Sequence, residues 1–402
     1  MKVIEDYKII KFKTNTVKIT KVIRRNEEVQ EYVVILLENK KNKRIVIHPL
    51  TSFIYDNWRR KEHNTQLARA KHIVAFLNHI FFDYYDILMV DNLEELHIKH
   101  AIHFLEKKVS DGCVKSTIYA YDSTIMHFYY YLTKKKLLKN YQIEDFKWSY
   151  DTARKKKNLE SMLIPEMEYV PTNRNVGEQK AKTLEQEHVP IFIMTAIDVA
   201  PRIALGIYLS IFGGLRGSEV MSVKRSTIKS IGVRGEHGLI VKLATDRLNS
   251  KGSGNRVKSP GIQPIQAIKS LLSELYISHD LNYPAPIDGS DSLFVNKHGK
   301  TMQYQTYNEL FNKVKESFIQ TLKKSPNPDD KIAALNYKSL KWSTHIGRGT
   351  YSNSIAEQVN SILEIMRLRR DRSPNSSTGY LTNTKNSIKI LNDSMEELLE
   401  GK

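Results

Sequence analysis

The spacing of hydrophobic residues separates an N-terminal β region from the helical region that follows it. Before about residue 50, short runs of β-branched and aromatic residues are divided by polar ones, a pattern typical of strands. Strands are predicted at Tyr7–Phe12, Val17–Ile23, Tyr32–Leu37 and Arg44–His48. A polar turn at 38–43 joins the last two as a hairpin. This small sheet either binds a ligand itself or packs on the next domain.

From Asn64 the apolar positions recur every three or four residues, which predicts three amphipathic helices able to close a small bundle. The same spacing favours packing rather than base stacking for Tyr129, Tyr130 and Tyr131. The predicted apolar faces are Leu67, Ala70, Val74, Leu77 and Phe81; then Ile98, Ile102, Leu105 and Val109; then Ile118, Tyr121, Ile125, Phe128 and Leu132.

The helical spacing is lost between about Lys139 and Lys182, where a basic run and two prolines are typical of a linker. The basic run either follows a polyanion or is simply solvated. The capping-box spacing of Thr183 and Gln186 then predicts that a second large domain starts here with a helix. Soon after it, Arg202–Phe212 is an almost entirely apolar helix.

Further along this second domain the pattern predicts a strand pair followed by another helix. The strands are His237–Leu243 and Arg256–Ile262, and a Gly/Ser-rich turn, Ser250–Gly254, lies between them. Pro264 stands at the first position of the predicted helix, which proline tolerates well.

Charge and composition narrow the classes of function. With 402 residues the chain is long enough for two or three domains, and 62 Lys+Arg against 44 Asp+Glu give a net charge of +18. Nucleic acid is therefore the expected partner. A membrane surface is the competing polyanion, but no apolar run approaches the roughly 20 residues that cross a bilayer, and the N-terminus has no secretory signal. We therefore expect a cytoplasmic protein.

Metal and disulfide chemistry have little support in the sequence. The single cysteine, Cys113, excludes an internal disulfide and a cysteine-based zinc site. Neither an H-E-x-x-H pattern nor a paired aspartate cluster occurs among the scattered histidines and acidic residues. We predict no metal.

Two blocks of residues suit phosphate chemistry. In Gly213-Gly214-Leu215-Arg216-Gly217-Ser218-Glu219, Arg216 leaves a buried helix, and a rigidly held guanidinium can give two parallel hydrogen bonds to phosphate oxygens. In the second block, His345 and Arg348 lie on one helical face, and Tyr380 follows Arg348 by 32 residues (380 − 348). By itself either block is also typical of a solvated helix surface or a cap.

Taken together and in this order, the two blocks resemble the tyrosine recombinase (phage integrase) family over about residues 183–380. The resemblance implies a mixed, mainly α chain with a small N-terminal β region, a helical core-binding bundle, and an α+β catalytic domain that carries a small sheet or hairpin. The implied boundaries are 1–55 for an arm-type DNA-binding region, 56–140 for the core-binding domain, 141–182 for the basic linker and 183–402 for the catalytic domain with its C-terminal tail.

The resemblance also implies a mechanism without metal or cofactor. Tyr380 would attack the scissile phosphorus and form a 3′-phosphotyrosyl link, while Arg216 and Arg348 neutralise the developing charge. His345 would donate a hydrogen bond or carry a proton. Lys251 would protonate the departing 5′ oxygen, with Lys258 as the second choice.

Two positions depart from the family pattern. Gly349 stands where a second histidine is common, and Asp371 stands nine residues before Tyr380 (380 − 371), where the family usually has His or Trp. An ionised aspartate accepts hydrogen bonds and repels phosphate, so it cannot replace a donor unaided. The candidates for that donor role are then Arg369, Arg370 and Arg372.

The expected function is site-specific recombination of double-stranded DNA, as integration, excision or resolution by a phage or mobile element. The resemblance implies a homo-oligomer on DNA, either a dimer or a tetramer, together with accessory DNA-bending or directionality proteins in the cytoplasm near the nucleoid. The alternative is a repressor or architectural protein that binds DNA without cutting it, which Asp371 and Gly349 favour. An RNA-binding or membrane-surface protein would explain the charge alone.

Overall fold

The computed structural model describes residues 10–23, 26–151, 156–168, 183–244, 257, 259–359 and 361–371. It divides into two compact units, Met1–Val176 and Gly177–Lys402. Each unit has a large hydrophobic core of its own. Lys251, Lys258, Arg372 and Tyr380 lie outside the described residues.

The first unit opens with an antiparallel sheet of three strands, Ile10–Ile23, Asn26–Asn39 and Arg44–Ile47. The hairpin predicted across 38–43 is confirmed, but the first two predicted strands are one continuous strand. Pairing with the second strand holds the polar residues between them extended, because each of residues 13–16 lies opposite a residue of that strand. A helix adds two contacts, from Asn78 Oδ1 to the Phe12 N–H at 2.8 Å and from His63 Nε2 to the Thr16 hydroxyl at 3.0 Å.

Helices complete this unit, and the three predicted from the hydrophobic spacing are confirmed. Tyr129 and Tyr131 are buried, and Tyr129 donates its hydroxyl to the carbonyl of His97 at 2.8 Å, so both tyrosines pack within the unit. The helices are Thr51–Trp58, His63–Asn78, Tyr85–Leu88, Ile98–Ser110 and Lys115–Lys134, with a π-helical turn at His79–Asp83.

Part of the segment predicted as linker contributes to the same core. Trp148–Asp151 and Lys156–Leu159 form an antiparallel pair. Leu163 and Met167, which follow them, are buried against the helices. The first compact unit therefore includes sheet, helices and this segment.

The second unit is built around the helix Pro201–Gly213, which is buried on nearly all sides and contacts the helices His188–Val199, Leu271–Asn282 and His345–Ala356. An antiparallel sheet lies beside it, with the strands Ile228–Ile231, Gly238–Leu243 and Gly261–Ile265 in that order. The remaining helices are Gly217–Val220, Tyr304–Lys324, Pro328–Ser339 and Ile362–Leu368.

Two predicted helix starts in this unit are wrong. The first helix begins at His188 rather than at Thr183. Pro264 lies within the strand Gly261–Ile265, opposite Ile240, and the next helix begins only at Leu271. The strand lies at one edge of its sheet, where the missing proline N–H leaves no ladder bond unmade. Among the described residues, none of the helices is both long enough and apolar enough to cross a membrane.

Candidate functional site

Two glycines bring the end of the central helix close to its neighbours. Gly214 ends the helix in the left-handed conformation (φ +62°), and a Cβ there would lie 2.3 Å from Cδ1 of Tyr351. A Cβ on Gly213 would lie 2.1 Å from Cδ1 of Ile265. The chain therefore turns in contact with the helix His345–Ala356, and Arg216 follows directly.

Arg216 is held from two sides. Its Nη1 lies 2.9 Å from Glu219 Oε1, and its Nη2 lies 2.8 Å from Asp371 Oδ1. The backbone N–H of Arg216 also donates to Glu219 Oε2 at 3.0 Å. The side chain of Glu219 is fully buried, whereas that of Arg216 remains 18% exposed. Glu219 thus fixes the direction of the guanidinium and leaves part of it open.

Arg348 reaches the same aspartate from the helix His345–Ala356. Its Nη2 lies 2.8 Å from Asp371 Oδ1 and also donates to the carbonyl of Arg369, and its Nη1 donates to the carbonyl of Gly214. Its side chain is only 1% exposed. The helix packs closely on the central one, since a Cβ on Gly347 would lie 2.8 Å from Cβ of Ser210. Tight packing of glycine therefore places Arg348 deep in the unit.

His345 lies at the solvent side of the same helix. It is the first residue of the helix and is exposed, whereas Arg348 one turn later is buried. The preceding residue, Thr344, bonds to the hydroxyl of Tyr304 at 2.9 Å and lies against Gly217, the neighbour of Arg216. The backbone at His345 therefore lies next to the segment that carries Arg216, and Arg348 follows on the same helix.

The carboxylate of Asp371 joins the arginines. One oxygen lies 2.8 Å from both Arg216 and Arg348, and the other lies 3.2 Å from Nε of Arg369. Burial acts to raise the pKa of Asp371, but attraction to Arg348, Arg369 and Arg216 outweighs it and lowers the pKa below its ordinary value. Asp371 is therefore ionised at neutral pH and accepts hydrogen bonds here.

Arg370 ties the turn that carries Asp371 to the sheet. It adopts a left-handed backbone (φ +56°), and its Nη2 lies 3.1 Å from Glu219 Oε2. Its Nε donates to Gln263 Oε1 at 2.6 Å, and Gln263 in turn donates to the carbonyl of Leu368 at 3.2 Å. Gln263 was missed by the sequence analysis, because a lone glutamine in an apolar strand gives no signal of its partner.

The structure brings together Arg216, Arg348 and Asp371, which the sequence analysis had selected, and His345 begins the helix that carries Arg348. The two guanidinium groups converge on one position, which suits an anion with oxygens facing both arginines. Of the three donors suggested to replace the missing His or Trp, Arg369 and Arg370 form ion pairs with acidic side chains of the protein itself.

A second group of side chains meets the spacing of a metal site. Glu185, Glu187 and His188 have ligand atoms within 4.8 Å of one another. Both ring nitrogens of His188 already have protein partners: Nδ1 lies 3.1 Å from Glu185 Oε2, and Nε2 lies 3.3 Å from Asp330 Oδ1. The buried histidine therefore lies between the carboxylates of Glu185 and Asp330, so its position is explained by contacts within the protein.

Comparisons with known proteins identify the fold. No protein-family model matches the chain, and no curated protein does. Among solved structures, the XerH site-specific recombinase bound to its palindromic difH substrate superposes with a TM-score of 0.52 at 15% identity, covering 85% of this chain and 82% of that one. The integrase of transposon Tn1549, in complex with transposon right-end DNA, gives a TM-score of 0.54 at 13% identity, covering 87% and 98%. The mainly helical architecture with small antiparallel sheets confirms the predicted fold class, and the chain has the tyrosine recombinase fold.

Proposed function

We propose that the chain is a site-specific DNA recombinase that cuts and rejoins double-stranded DNA through a 3′-phosphotyrosyl intermediate. The observation that carries this proposal is the convergence of Arg216 and Arg348 on one anionic oxygen, each at 2.8 Å, in a chain with the tyrosine recombinase fold. Two guanidinium groups at this spacing match the non-bridging oxygens of a phosphodiester.

The arginines would supply electrostatic stabilisation. Attack on phosphorus increases the negative charge on the non-bridging oxygens, and donors fixed before the reaction stabilise that charge without reorganising. Glu219 holds Arg216 in place, and the close packing at Gly347 holds Arg348. His345, at the exposed start of the helix, would donate a hydrogen bond to the same phosphate or carry a proton.

The remaining groups complete a balanced transfer. The hydroxyl oxygen of Tyr380 would form a bond to phosphorus and give up its proton to His345 or to water as the bond from phosphorus to the 5′ oxygen breaks, and Lys251 would protonate that 5′ oxygen. Lys258 is the second candidate for this acid. Attack by the 5′ hydroxyl of another strand then releases the tyrosine, so no metal or nucleotide is needed.

The rest of the chain would serve DNA binding and assembly. In this proposal, 1–55 is an arm-type region, 56–140 the core-binding domain, 141–182 a basic linker whose first part packs on the helices of the first unit, and 183–402 the catalytic domain. The net charge of +18 supports binding to the duplex backbone. A dimer or tetramer on DNA, accessory DNA-bending or directionality proteins and a cytoplasmic, nucleoid-associated location belong to the same proposal.

Covalent trapping of the protein on DNA tests the proposed cleavage by Tyr380. The binding site is first footprinted on DNA flanking the gene, and nicked oligonucleotide substrates are built from it, so that a cleaved strand cannot be rejoined. The wild-type chain should give an adduct that resists denaturation, and Tyr380→Phe should give none while binding the site with nearly unchanged affinity. Tyr119→Phe, at an exposed tyrosine in the first unit, is the matched control and should still form the adduct. An adduct with Tyr380→Phe would show that the nucleophile is another residue.

A second candidate is a DNA-binding protein with this fold that does not cleave, such as a repressor or architectural factor. The observation that favours it is the burial of Arg348, which is 1% exposed and bonded to Asp371. Gly349, where a second histidine is common, points the same way. Tight, site-specific binding with no adduct from the wild type would select this alternative.

A further inference from the structure

We propose that Asp371 is an internal anion that occupies the phosphate position between Arg216 and Arg348, and that a DNA phosphate must displace it. The inference rests on the proposed function only in identifying the external anion as a DNA phosphate. It follows from how the donors of the two arginines are distributed.

Arg348 has no room for a phosphate while Asp371 is in place. Its two terminal nitrogens donate to the carbonyls of Gly214 and Arg369 and to Asp371 Oδ1, and its side chain is 1% exposed. Arg216 gives one terminal nitrogen to Glu219 and the other to Asp371. The oxygen that both guanidinium groups share is therefore the position that a non-bridging phosphate oxygen would take.

Among these acceptors, the carboxylate of Asp371 is the one that can leave with the least damage to the fold. The side chains of Glu219 and Asp371 are both buried, but Glu219 also accepts from the backbone N–H of Arg216 and from Arg370. The carbonyl of Gly214 belongs to a turn packed against Tyr351. Asp371 instead follows a helix end, where its backbone N–H donates to the carbonyl of Met366 at 2.9 Å. A change of side-chain rotamer would withdraw the carboxylate and keep that backbone bond.

The exchange preserves charge. Burying arginines without an anion is strongly unfavourable, so an empty site at this depth needs a negative group of its own. A phosphodiester carries one negative charge, as a carboxylate does, so one replaces the other without changing the net charge beside Arg216, Arg348 and Arg369. Asp371 thus stabilises the arginine pair before DNA arrives and lowers its affinity for stray anions.

Inorganic phosphate is a probe that requires neither DNA nor Tyr380. Binding to the full chain is measured as the rise in melting temperature with phosphate, at constant ionic strength set by chloride. Asp371→Asn should bind phosphate at least about tenfold more tightly than wild type, because the competing charge is gone while the side-chain shape is kept. Glu219→Gln is the matched control: it removes a carboxylate from the same Arg216 but leaves Asp371 in place, so its affinity should rise less.

Equal phosphate affinity in wild type and Asp371→Asn would overturn the proposal, and so would an equal gain in Glu219→Gln. A crystal structure of the wild type with phosphate tests it without any substitution. The phosphate should lie between the two arginines with the Asp371 carboxylate turned away, whereas Asp371 still bonded to both would refute the exchange. If the wild type forms no adduct but Asp371→Asn binds phosphate more tightly, the proposed recombination is rejected and the role of Asp371 stands. If the wild type forms an adduct but Asp371→Asn binds phosphate no more tightly than wild type, the role of Asp371 is rejected and recombination stands.

Discussion

Substituting Gly214 with alanine should destabilise the second unit in two separable ways. The residue has φ +62°, and placing a Cβ in this left-handed region costs about 1–2 kcal/mol. The new methyl would also lie 2.3 Å from Cδ1 and 2.7 Å from Cε1 of Tyr351, a buried ring. Overpacking of this kind costs about 1–3 kcal/mol, so the free energy of unfolding should fall by about 2–5 kcal/mol in total.

Comparison with Gly289→Ala separates the cost of the contact with Tyr351 from the cost of the backbone conformation. Gly289 lies in the same unit with φ +73°, and a Cβ there would meet nothing within 4 Å. It should therefore lose only the backbone contribution of about 1–2 kcal/mol. The difference between the two variants, about 1–3 kcal/mol, measures the contact with Tyr351.

The assay needs a reporter confined to the second unit, because a chain with two cores need not unfold in one step. Trp342 is the only tryptophan after residue 176 and is buried, with its indole N–H donating to the carbonyl of Tyr337 at 2.8 Å. Incorporation of 5-fluorotryptophan gives this residue its own ¹⁹F signal, assigned with Trp342→Phe. Its urea midpoint should drop further in Gly214→Ala than in Gly289→Ala. Equal drops would refute the claim that glycine is needed there for close packing.

Two further predictions concern catalysis and pH. Arg216→Ala should slow adduct formation on nicked DNA by about 10²-fold or more, because a fixed donor to the developing charge is lost; cleavage at the wild-type rate would exclude the phosphate-binding role. Asp122, buried and hydrogen-bonded to Ser161 at 2.6 Å, has its pKa raised by burial to about 6. The folded state therefore binds this proton more tightly than the unfolded state, and the first unit should lose up to about 3 kcal/mol as pH rises from about 4 through 6. Asp122→Asn should abolish that loss and unfold at higher urea than wild type at pH 8, as read from the ¹⁹F signals of Trp58 and Trp148.

The parts of the fold that sequence patterns predicted are those that local residues determine. The helix Pro201–Gly213 is almost entirely apolar, begins with a proline and ends at a glycine pair. Its position in the core and its end are therefore both determined by its own residues. Pro264 shows the limit of such signals. A proline is equally suited to the first turn of a helix and to an edge strand, and pairing with Gly238–Leu243 decided between them.

The candidate site divides in the same way. Motif and spacing selected Arg216, His345, Arg348 and Asp371, but the contact between Arg216 and Asp371 joins residues 155 positions apart (371 − 216). Gln263 lies 107 positions from Arg370 and gave no signal at all. Contacts at such separations depend on how helices and sheet pack, which spacing along the chain does not encode.

The meaning of Asp371 depends on whether its carboxylate stays or leaves. From the sequence, an ionised aspartate in place of a donor counts against phosphate binding, because it repels phosphate. That repulsion applies only while the carboxylate occupies the site. In the structure, one oxygen of this carboxylate lies where both arginines would bind a phosphate oxygen. In a non-cleaving protein bound to DNA, the carboxylate of Asp371 would stay between the arginines, and Arg348 would not contact the DNA backbone. A recombinase must withdraw this carboxylate. The free energy of breaking the ion pairs would then come from binding the rest of the DNA site. Cleavage would therefore be confined to DNA that binds tightly.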